Sequence, residues 1–335
     1  MEDNLNILFL GDMMLGENVY HLGRGIRTKY GQDYPNMIPS VIKDKLFDGV
    51  DAIICNFEYS LAPNDFDFTD FEKSIYASTV SSLSVLPDNI IKIVNIANNH
   101  FWERGHESTF FSIDALKQNG FIVVGESSKP VNIEIKGKRL HIWGCSLIDW
   151  SVPVFTSTYE KLLKEITTPK SKGDEDIWIM SVHWGTEFIP YPDSKQVELA
   201  HQLIEHGFDI VHGHHPHVFQ PVETYKNGFI MYSMGNFLFD ENFAKETQKS
   251  YCIKYSLTER KLDDSLIIIN KSYRPQKIKH VAEDKIQFVP GKYWSKRKKR
   301  FTSKLYNILR KIEYLPHFAD NDFLIYRSLK KRTNK

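Results

Sequence analysis

Histidines are concentrated in one short segment of this 335-residue chain. The sequence DIVHGHHPHVFQPVE holds four of the 13 histidines: His212, His214, His215 and His217. Imidazole is a common ligand for Zn, Mn and Fe, so the cluster favours a metal site over an ordinary surface loop. His215 and His217 flank Pro216, and we expect this pair to lie in an extended segment and to converge on one centre.

Carboxylates and amides follow two apolar runs nearer the N-terminus. Asp12 comes after Gly11 in LFLGDMMLG, where a carboxylate suits a divalent metal, although a turn or a helix cap explains it equally well. Asn56 and Glu58 share one face of the extended segment AIICNFEYSL, because successive side chains of a strand alternate. Either side chain could bind a metal, but an edge or loop position is the simpler explanation of this motif in isolation.

Other polar residues also stand where apolar runs end. Asn99 and His100 occur in IVNIANNHFWERG, where an amide oxygen can bind a metal and a histidine can act as a general acid. An Asx-turn explains the asparagines but not the histidine. His183 ends the run IWIMSVH and Glu187 follows four residues later, although a single histidine at a strand end is more often structural. Asn236, in YSMGNFLFD, could orient a ligand, but turn chemistry explains it better.

The order of these motifs is what a two-metal hydrolase requires. Such a site holds its metals about 3.5–4 Å apart and activates a water between them. A carboxylate can bridge the two ions, and histidines supply neutral nitrogen ligands without adding negative charge. The sequence therefore predicts one or two divalent metal ions, with Mn, Zn and Fe as candidates.

Short apolar runs alternate with helical segments, which predicts an α/β fold. We predict strands at 5–10, 52–55, 90–96, 121–124, 140–145, 177–182, 209–212 and 229–232. We predict helices at 35–48, 106–119, 156–168 and 194–206. Residues 250–275 predict an antiparallel pair joined by a turn at KLDD. Ligands collect at the carboxyl ends of strands in α/β sheets, which is where the polar motifs fall.

Composition excludes several classes of protein. No apolar run reaches 18 residues, so we expect no membrane span. The N-terminal sequence MEDNLNILFLGD does not resemble a secretory signal, and we expect a cytoplasmic location, with peripheral attachment at a membrane as an option. The three widely spaced cysteines do not suit a disulfide framework or a Cys-based zinc site, and buried thiols are the expected role.

Charge separates the C-terminal end from the rest of the chain. Residues 292–335 contain 14 Lys and Arg but 3 Asp and Glu, whereas the rest has 29 basic and 39 acidic residues. The basic run at 296–300 is followed by Leu305, Ile308, Leu309, Ile312 and Leu315, which predicts an amphipathic helix. This helix could pack on the domain or lie on an anionic membrane surface, while nucleic acid is not expected as a partner.

As a set, these motifs resemble those of the CapA family, which is named for a poly-γ-glutamate capsule protein and related to calcineurin-like metallophosphatases. The matching pieces, in family order over residues 7–240, are GDMMLG, NFE, ANNH, HWGTEF, GHHPHVFQPVE and GNFLF. The resemblance implies a four-layer α/β/β/α metallophosphatase-like sandwich at 1–288. A basic helical C-terminal extension would follow at 289–335.

The resemblance also implies a role for each matching residue. One metal would be held by Asp12 and His217, and the other by Asn99, His183 and His215. Glu58 would bridge the metals or lie close to both, with help from Asn56. His100 would be the general acid or would stabilise the leaving oxygen, and Asp12 is the other expected catalytic residue. Substrate contacts are assigned to the remaining polar residues of the motifs and to two arginines beside them: Glu187, His214, Asn236, Arg24 and Arg104. Surface solvation is the alternative for each arginine.

Two residues depart from the metallophosphatase pattern. Met14 stands where Asp-x-His motifs carry histidine, which weakens one metal site and makes a single metal possible. Glu103 replaces the aspartate that usually follows the ANNH motif, keeping the carboxylate with one more methylene. Many CapA proteins also begin with a membrane anchor, and we expect none in this sequence.

The expected function is a metal-dependent hydrolase of the metallophosphatase type, linked to capsule, exopolysaccharide or poly-γ-glutamate biosynthesis. Its substrate would be an anionic polymer or a phosphoester, and hydrolysis of an amide bond is a further possibility. The alternative is a non-catalytic, metal-stabilised accessory subunit of a polymer synthesis or export complex.

Overall fold

The computed structural model describes residues 4–287 except 19–20, 32, 71–73, 149–153, 170, 242–243, 272 and 283–284. The basic extension predicted at 289–335 lies outside the described residues, and both it and the boundary before it stay predictions. No described helix is long and apolar enough to cross a membrane.

The described residues form sixteen strands and five α-helices. The strands are β1 (Asn6–Met13), β2 (Ala52–Phe57), β3 (Ser60–Ala62), β4 (Ala77–Thr79), β5 (Ile91–Asn95), β6 (Phe121–Val124), β7 (Val131–Ile135), β8 (Lys138–Ser146), β9 (Asp176–His183), β10 (Ile210–His214), β11 (Phe219–Tyr225), β12 (Gly228–Met234), β13 (Asn236–Leu238), β14 (Lys249–Ser256), β15 (Lys261–Lys271) and β16 (Arg274–His280). The α-helices are α1 (Ile26–Tyr30), α2 (Ser40–Leu46), α3 (Gly105–Gln118), α4 (Leu162–Glu165) and α5 (Ser194–Glu205), with 3-10 turns at Tyr34–Asn36 and Val80–Val85.

Two large sheets make up the centre of the fold. The first has the order β16-β15-β14-β1-β2-β5-β6, with β13 pairing the end of β1. The second has the order β11-β12-β10-β9-β8-β7. In the first sheet β1, β2, β5 and β6 run parallel, and β14 pairs antiparallel with β1. In the second sheet β8, β9, β10 and β12 run parallel. Hairpins add the antiparallel strands β15, β16, β7 and β11. Parallel strands that end at one edge bring their C-terminal residues together.

The sheets stack face to face, with helices outside. Along β1 the side chains alternate: Ile7 and Phe9 lie in the core between the sheets, while Leu8 and Leu10 join the core that includes α2 and α3. On the far side, a Cβ at Gly228 would lie 2.4 Å from the Ile204 side chain, so α5 packs directly on β12. This arrangement confirms the predicted four-layer α/β/β/α sandwich.

Two predicted helices differ from the structure. The helix predicted at 156–168 is wrong, because only the single turn α4 forms there. Ser157 N–H donates to Ser146 O and Thr167 N–H donates to Ser128 O, so this segment pairs with other parts of the chain. The helix predicted at 35–48 is shorter, since Pro39 stands at the N-cap of α2 and separates it from the preceding 3-10 turn.

The turn predicted at KLDD is also misplaced. These four residues begin β15, and Ser256 pairs with Lys261 across the sheet. The chain turns instead at 257–260, where Arg260 adopts a left-handed φ of 51°. The polar side chains of KLDD suit either an exposed turn or an exposed strand, so their polarity alone did not distinguish the two.

Candidate metal centre

A bulge at the end of β1 places Asp12. The pairing of β1 with β2 shifts register between Phe9 and Asp12, and Asp12 N–H donates to Gly235 O at 2.9 Å. A Cβ at Gly11 would lie 1.8 Å from that same oxygen, so only glycine allows the two backbones to approach this closely. The Gly-Asp motif therefore has a steric cause as well as a chemical one.

Asn56, at the end of β2, connects the two carboxylates of the centre. Its Nδ2 donates to Asp12 Oδ1 at 2.9 Å and to Glu58 Oε2 at 3.0 Å. Its oxygen accepts a hydrogen bond from Asn98 Nδ2 at 3.1 Å. In this arrangement the amide orients the carboxylates, and its oxygen, which would be the metal ligand, is occupied by Asn98.

Glu58 lies between histidines of the second sheet. Its Oε1 is 3.6 Å from His183 Nε2 and 3.8 Å from His217 Nε2. Among the residues that the structure describes, none donates a hydrogen bond to this oxygen. Burial raises the pKa of the Glu58 carboxyl well above its ordinary value, although the charge of His217 lowers it. A buried carboxylate oxygen without a donor is what a metal ligand looks like before it binds.

His183 ends β9 and faces the loop that follows β5. Its Nε2 donates to Asn99 Oδ1 at 2.8 Å, and its Nδ1 lies 3.3 Å from Asn56 Nδ2. Burial, with charge from the neighbouring histidines, lowers the pKa of His183 well below its ordinary value. The ring is therefore neutral, which is the form that binds metals.

Two histidines, His212 and His214, lie behind Asp12. The Leu10 carbonyl can only accept, so His212 donates to it from Nε2 at 2.9 Å and keeps a lone pair on Nδ1. His214 Nε2 lies 3.2 Å from that Nδ1, and His214 Nδ1 lies 3.2 Å from Asp12 Oδ1. Although burial favours the neutral acid, contact with His214 helps to hold the pKa of Asp12 below its ordinary value.

The expected extended conformation of His215 and His217 is wrong, although the two rings do converge. Both residues have left-handed φ angles, 94° and 54°, which cost free energy for any residue but glycine. His217 Nδ1 lies 2.9 Å from Asn236 Oδ1. Burial would lower the pKa of His217, but Glu241, Glu58 and other acids raise it to about 10. Burial lowers the pKa of His215 to about 3.

The ligand atoms form two groups that share Glu58. Asp12, Glu58 and His183 offer atoms that lie within 4.8 Å of one another, and so do Glu58, His215 and His217. Asp12 Oδ2 also lies 3.4 Å from His217 Nδ1, so the division of these ligands between two ions stays a prediction. Oxygen and imidazole donors suit Mn, Zn and Fe. Glu58 Oε1, His214 Nδ1 and His215 Nδ1 have no hydrogen-bond partner among the described residues, so the side chains fit a divalent metal.

His100 borders this cluster. Its Nδ1 is 2.7 Å from Glu103 Oε1, and its Nε2 is 3.1 Å from Asn99 Nδ2. The longer side chain of Glu103 therefore reaches the histidine. Since Asn99 also contacts His183, this asparagine links His100 to the metal ligands.

Comparison with known proteins identifies the family. A family model described as "Bacterial capsule synthesis protein PGA_cap" matches residues 6–241. The chain belongs to this family. The matched range begins with β1 and ends just after β13, so it includes every predicted metal ligand. The expected CapA-like family is therefore confirmed.

Relatives of this PGA_cap chain have related names. "Capsule biosynthesis protein CapA" of Bacillus anthracis is 30% identical over 278 residues, which is 77% of this chain and 65% of that protein. "PGA biosynthesis protein CapA" of Bacillus subtilis is 27% identical, over 76% and 68% of the two chains. A Mycobacterium tuberculosis protein named "Probable polyglutamine synthesis accessory protein" is 24% identical over 60% of each chain. The chain thus spans slightly less than two thirds of the Bacillus anthracis protein.

Solved structures give weaker similarities. A hypothetical protein from Thermus thermophilus superposes with a TM-score of 0.43 at 15% identity, covering 83% of this chain and 98% of that one. GAP50 of Plasmodium, described as the anchor in the inner membrane complex, gives a TM-score of 0.40 at 9% identity over 85% and 91%.

The predicted substrate residues of this PGA_cap chain lie in different places. His214 and Asn236 lie inside the centre as partners of Asp12 and His217. Glu187 is half-buried and its charge acts on His217. Arg24 is exposed in the loop before α1. Arg104 stacks on Phe66, with its guanidinium carbon 4.5 Å from the ring centre, and donates to Leu61 O at 3.4 Å.

Met14, the departure from the Asp-x-His pattern, does not reach the ligands. Its side chain is fully buried in the hydrophobic core that includes α2 and α3. The residue therefore contributes to packing, and the position offers no ligand atom.

Proposed function

We propose that this PGA_cap protein is a divalent-metal-dependent hydrolase of the phosphoesterase type. The observation that carries the proposal is the pair of ligand groups that share the buried carboxylate of Glu58. A shared carboxylate is the arrangement that holds two ions at the separation used by two-metal hydrolases. With one group filled, the same residues would hold a single metal.

The protein's own residues have separate tasks in this proposal. Asp12, Glu58, His183, His215 and His217 hold the metals, which supply Lewis-acid activation of water and of the scissile group. Asn56 orients Asp12 through a hydrogen bond, and His214, which contacts His212, lies beside the same carboxylate. His100 in its charged form supplies a proton from Nε2 to the leaving oxygen, while Glu103 accepts from Nδ1 and stabilises the charged ring. In the structure Nε2 accepts from the Asn99 amide at 3.1 Å, so the charged form requires this amide to move aside.

Metal analysis and an ester assay test the proposal. The purified protein should hold one or two equivalents of Mn, Zn or Fe and should hydrolyse aryl phosphoesters. His100→Ala should keep the metal and lose about 10²–10⁴-fold in kcat. His280→Ala, an exposed histidine on β16, is the matched control and should behave as wild type. If the metal-loaded protein hydrolyses no phosphoester, amide or peptide-like substrate, the proposed activity is wrong.

The names of its relatives support a role in the synthesis of a capsule or of poly-γ-glutamate. The substrate would then be a phosphoester or an anionic polymer of that pathway, and a two-metal centre also suits cleavage of an amide in such a polymer. Attachment of the basic extension to an anionic membrane surface remains part of the proposal. Assays with phosphodiesters and with γ-linked glutamate oligomers, side by side, separate the two bond types.

A non-catalytic accessory role is the second candidate. Met14 favours it, because its burial in the core leaves the centre without the ligand that Asp-x-His motifs provide. The printed name of the Mycobacterium tuberculosis relative also contains the word accessory. A protein that binds metal and gains stability from it, but shows no difference in turnover from His100→Ala, would favour this role.

A further inference from the structure

Tyr76 lies flat against the ring of His100. The two ring centres are 3.8 Å apart with an interplanar angle of 22°, and Tyr76 is only 5% exposed. Tyr76 belongs to none of the motifs that carry the metal ligands. Its contact is nevertheless with the residue proposed as the proton donor, so its placement bears on catalysis.

The backbone holds Tyr76 in an unusual conformation. Its φ is 46°, in the left-handed region, which a large side chain adopts only where the surroundings enforce it. Tyr76 N–H donates to Glu17 O at 2.9 Å, and Tyr76 O accepts from Ser60 N–H at 2.8 Å. A Cβ at Gly16 would lie 2.7 Å from Ala77 N, so glycine is needed for this close approach.

A buried ion pair fixes the same segment from the other side. Glu17 is fully buried, and its carboxylate pairs with Arg27 at 2.9 Å and accepts from the Gly25 N–H at 3.0 Å. Arg27 also donates to Ser74 O at 2.7 Å and to Ala77 O at 2.9 Å. The backbone on both sides of Tyr76 is therefore anchored, and the tyrosine ring cannot easily leave His100.

We propose that Tyr76 is a positioning residue for His100, an inference that rests on the proposed hydrolase function. The hydrogen bond to Glu103 fixes the direction of His100 within the plane of its ring. Asn99 Nδ2 lies 3.1 Å from the other ring nitrogen, Nε2, and contacts at the two nitrogens still allow the ring to tilt about the line that joins them. Stacking on Tyr76 fixes the plane itself, so the three contacts together hold Nε2 beside the proposed metal ligands.

Leaving-group dependence tests this role. A general acid matters for a poor leaving group and hardly at all for a good one, so we compare phenyl with 2,4-dinitrophenyl phosphoesters. Tyr76→Leu should lower kcat for the phenyl ester by about 10-fold to 100-fold and leave the dinitrophenyl ester nearly unchanged. Tyr76→Phe keeps the stacking ring and should restore both rates. NMR of the His100 ring protons should show a downfield shift in Tyr76→Leu and none in Tyr76→Phe.

A second buried tyrosine provides the control. Tyr34 is fully buried in the same core and hydrogen-bonds to Ser78, so Tyr34→Leu should destabilise the protein without changing the ratio of the two ester rates. If Tyr76→Leu lowers both rates by the same factor, so that their ratio stays at the value expected for wild type and Tyr34→Leu, Tyr76 is merely structural and the inference is wrong. If wild type hydrolyses neither ester with any metal, the proposed function fails and the inference fails with it.

Discussion

Glu58 is a fully buried carboxylate, and one of its oxygens has no donor among the described residues. Such a group costs stability in the protein without metal, because burial favours the neutral acid and raises its pKa. The folded state therefore holds the proton more tightly than the unfolded state does. The penalty is present at neutral pH and declines as the pH falls toward the ordinary pKa of a glutamate.

Glu58→Gln removes this charge and should separate stability from function. The metal-free variant should be more stable than wild type by roughly 1–3 kcal/mol at pH 7, and less so near pH 5. Metal content and turnover should both collapse, because both ligand groups include this residue. Urea unfolding measures the change in stability, and elemental analysis measures the metal content. Glu198→Gln, an exposed change on α5, should alter neither, and a metal-replete Glu58→Gln protein would contradict the shared-ligand arrangement.

The variant Gly11→Ala tests the steric cause of the bulge in β1. Gly11→Ala puts a methyl group 1.8 Å from Gly235 O, so the bulge that places Asp12 must shift. We expect a loss of about 3 kcal/mol or more, as for severe overpacking, together with weaker metal binding. Gly137→Ala is the control, since nothing lies within 4 Å of its Cβ and only its left-handed φ of 74° opposes the change, at about 1–2 kcal/mol. Equal losses in the two variants would refute the steric argument.

Among the helices and strands, α5 is the one that its local sequence specifies most clearly. Asp193 accepts from Gln196 N–H at 2.8 Å, and Gln196 Oε1 accepts from Asp193 N–H at 3.1 Å, which is a capping box. Gln196 also donates to Gln220 at 3.1 Å, so the cap connects the helix to β11. This explains why the helix predicted at 194–206 matches the structure closely.

Asp193→Ala should destabilise the protein by about 1 kcal/mol, because the first turn of α5 loses an acceptor for its free N–H groups. The change lies on the outer layer, so metal affinity should not change. Denaturant unfolding measures the free energy of unfolding, and calorimetric titration with Mn or Zn measures the metal affinity. Lys195→Ala, at an exposed neighbour, should change neither; a lower metal affinity in Asp193→Ala would mean that α5 is coupled to the centre.

Sequence patterns predicted the elements whose signal is local. The apolar runs at 52–55 and 177–182 indicated strands buried on both faces, and both are present in β2 and β9. The helix prediction at 156–168 was wrong because backbone hydrogen bonds of this segment go to residues outside it. Tyr76 was missed for the same reason, since its conformation depends on Glu17 and Ser60. The left-handed angles of His215 and His217 likewise require a folded environment that no local pattern reports.

For the whole molecule, the metal centre joins the two sheets. Asp12, Asn56 and Glu58 come from the first sheet and its loops, whereas His183 and His217 come from the second. A metal bound at this candidate centre would therefore cross-link the layers. A ligand that binds the folded state alone stabilises it in proportion to the logarithm of its concentration over Kd.

Removing the metal should lower the melting temperature. With metal at about 100 times Kd, the stabilisation is about 2.7 kcal/mol, and a chelator should abolish it. Scanning calorimetry with and without the chelator measures the change. His183→Ala should start from a lower affinity and show a smaller shift, while His280→Ala should match wild type. A chelator that leaves the wild-type melting temperature unchanged would contradict a metal bound at this centre.

The pairing of β1 has a consequence for how the chain is made. Among the described strands β1 leaves the ribosome first, and on one side its residues 6–9 pair with β14, where Phe9 pairs with Ile253. Until residue 256 has been synthesised, one edge of β1 has unpaired backbone groups, and open edges invite wrong partners. A nascent chain that stalls before Lys249 should therefore require a chaperone, although it already carries every proposed metal ligand.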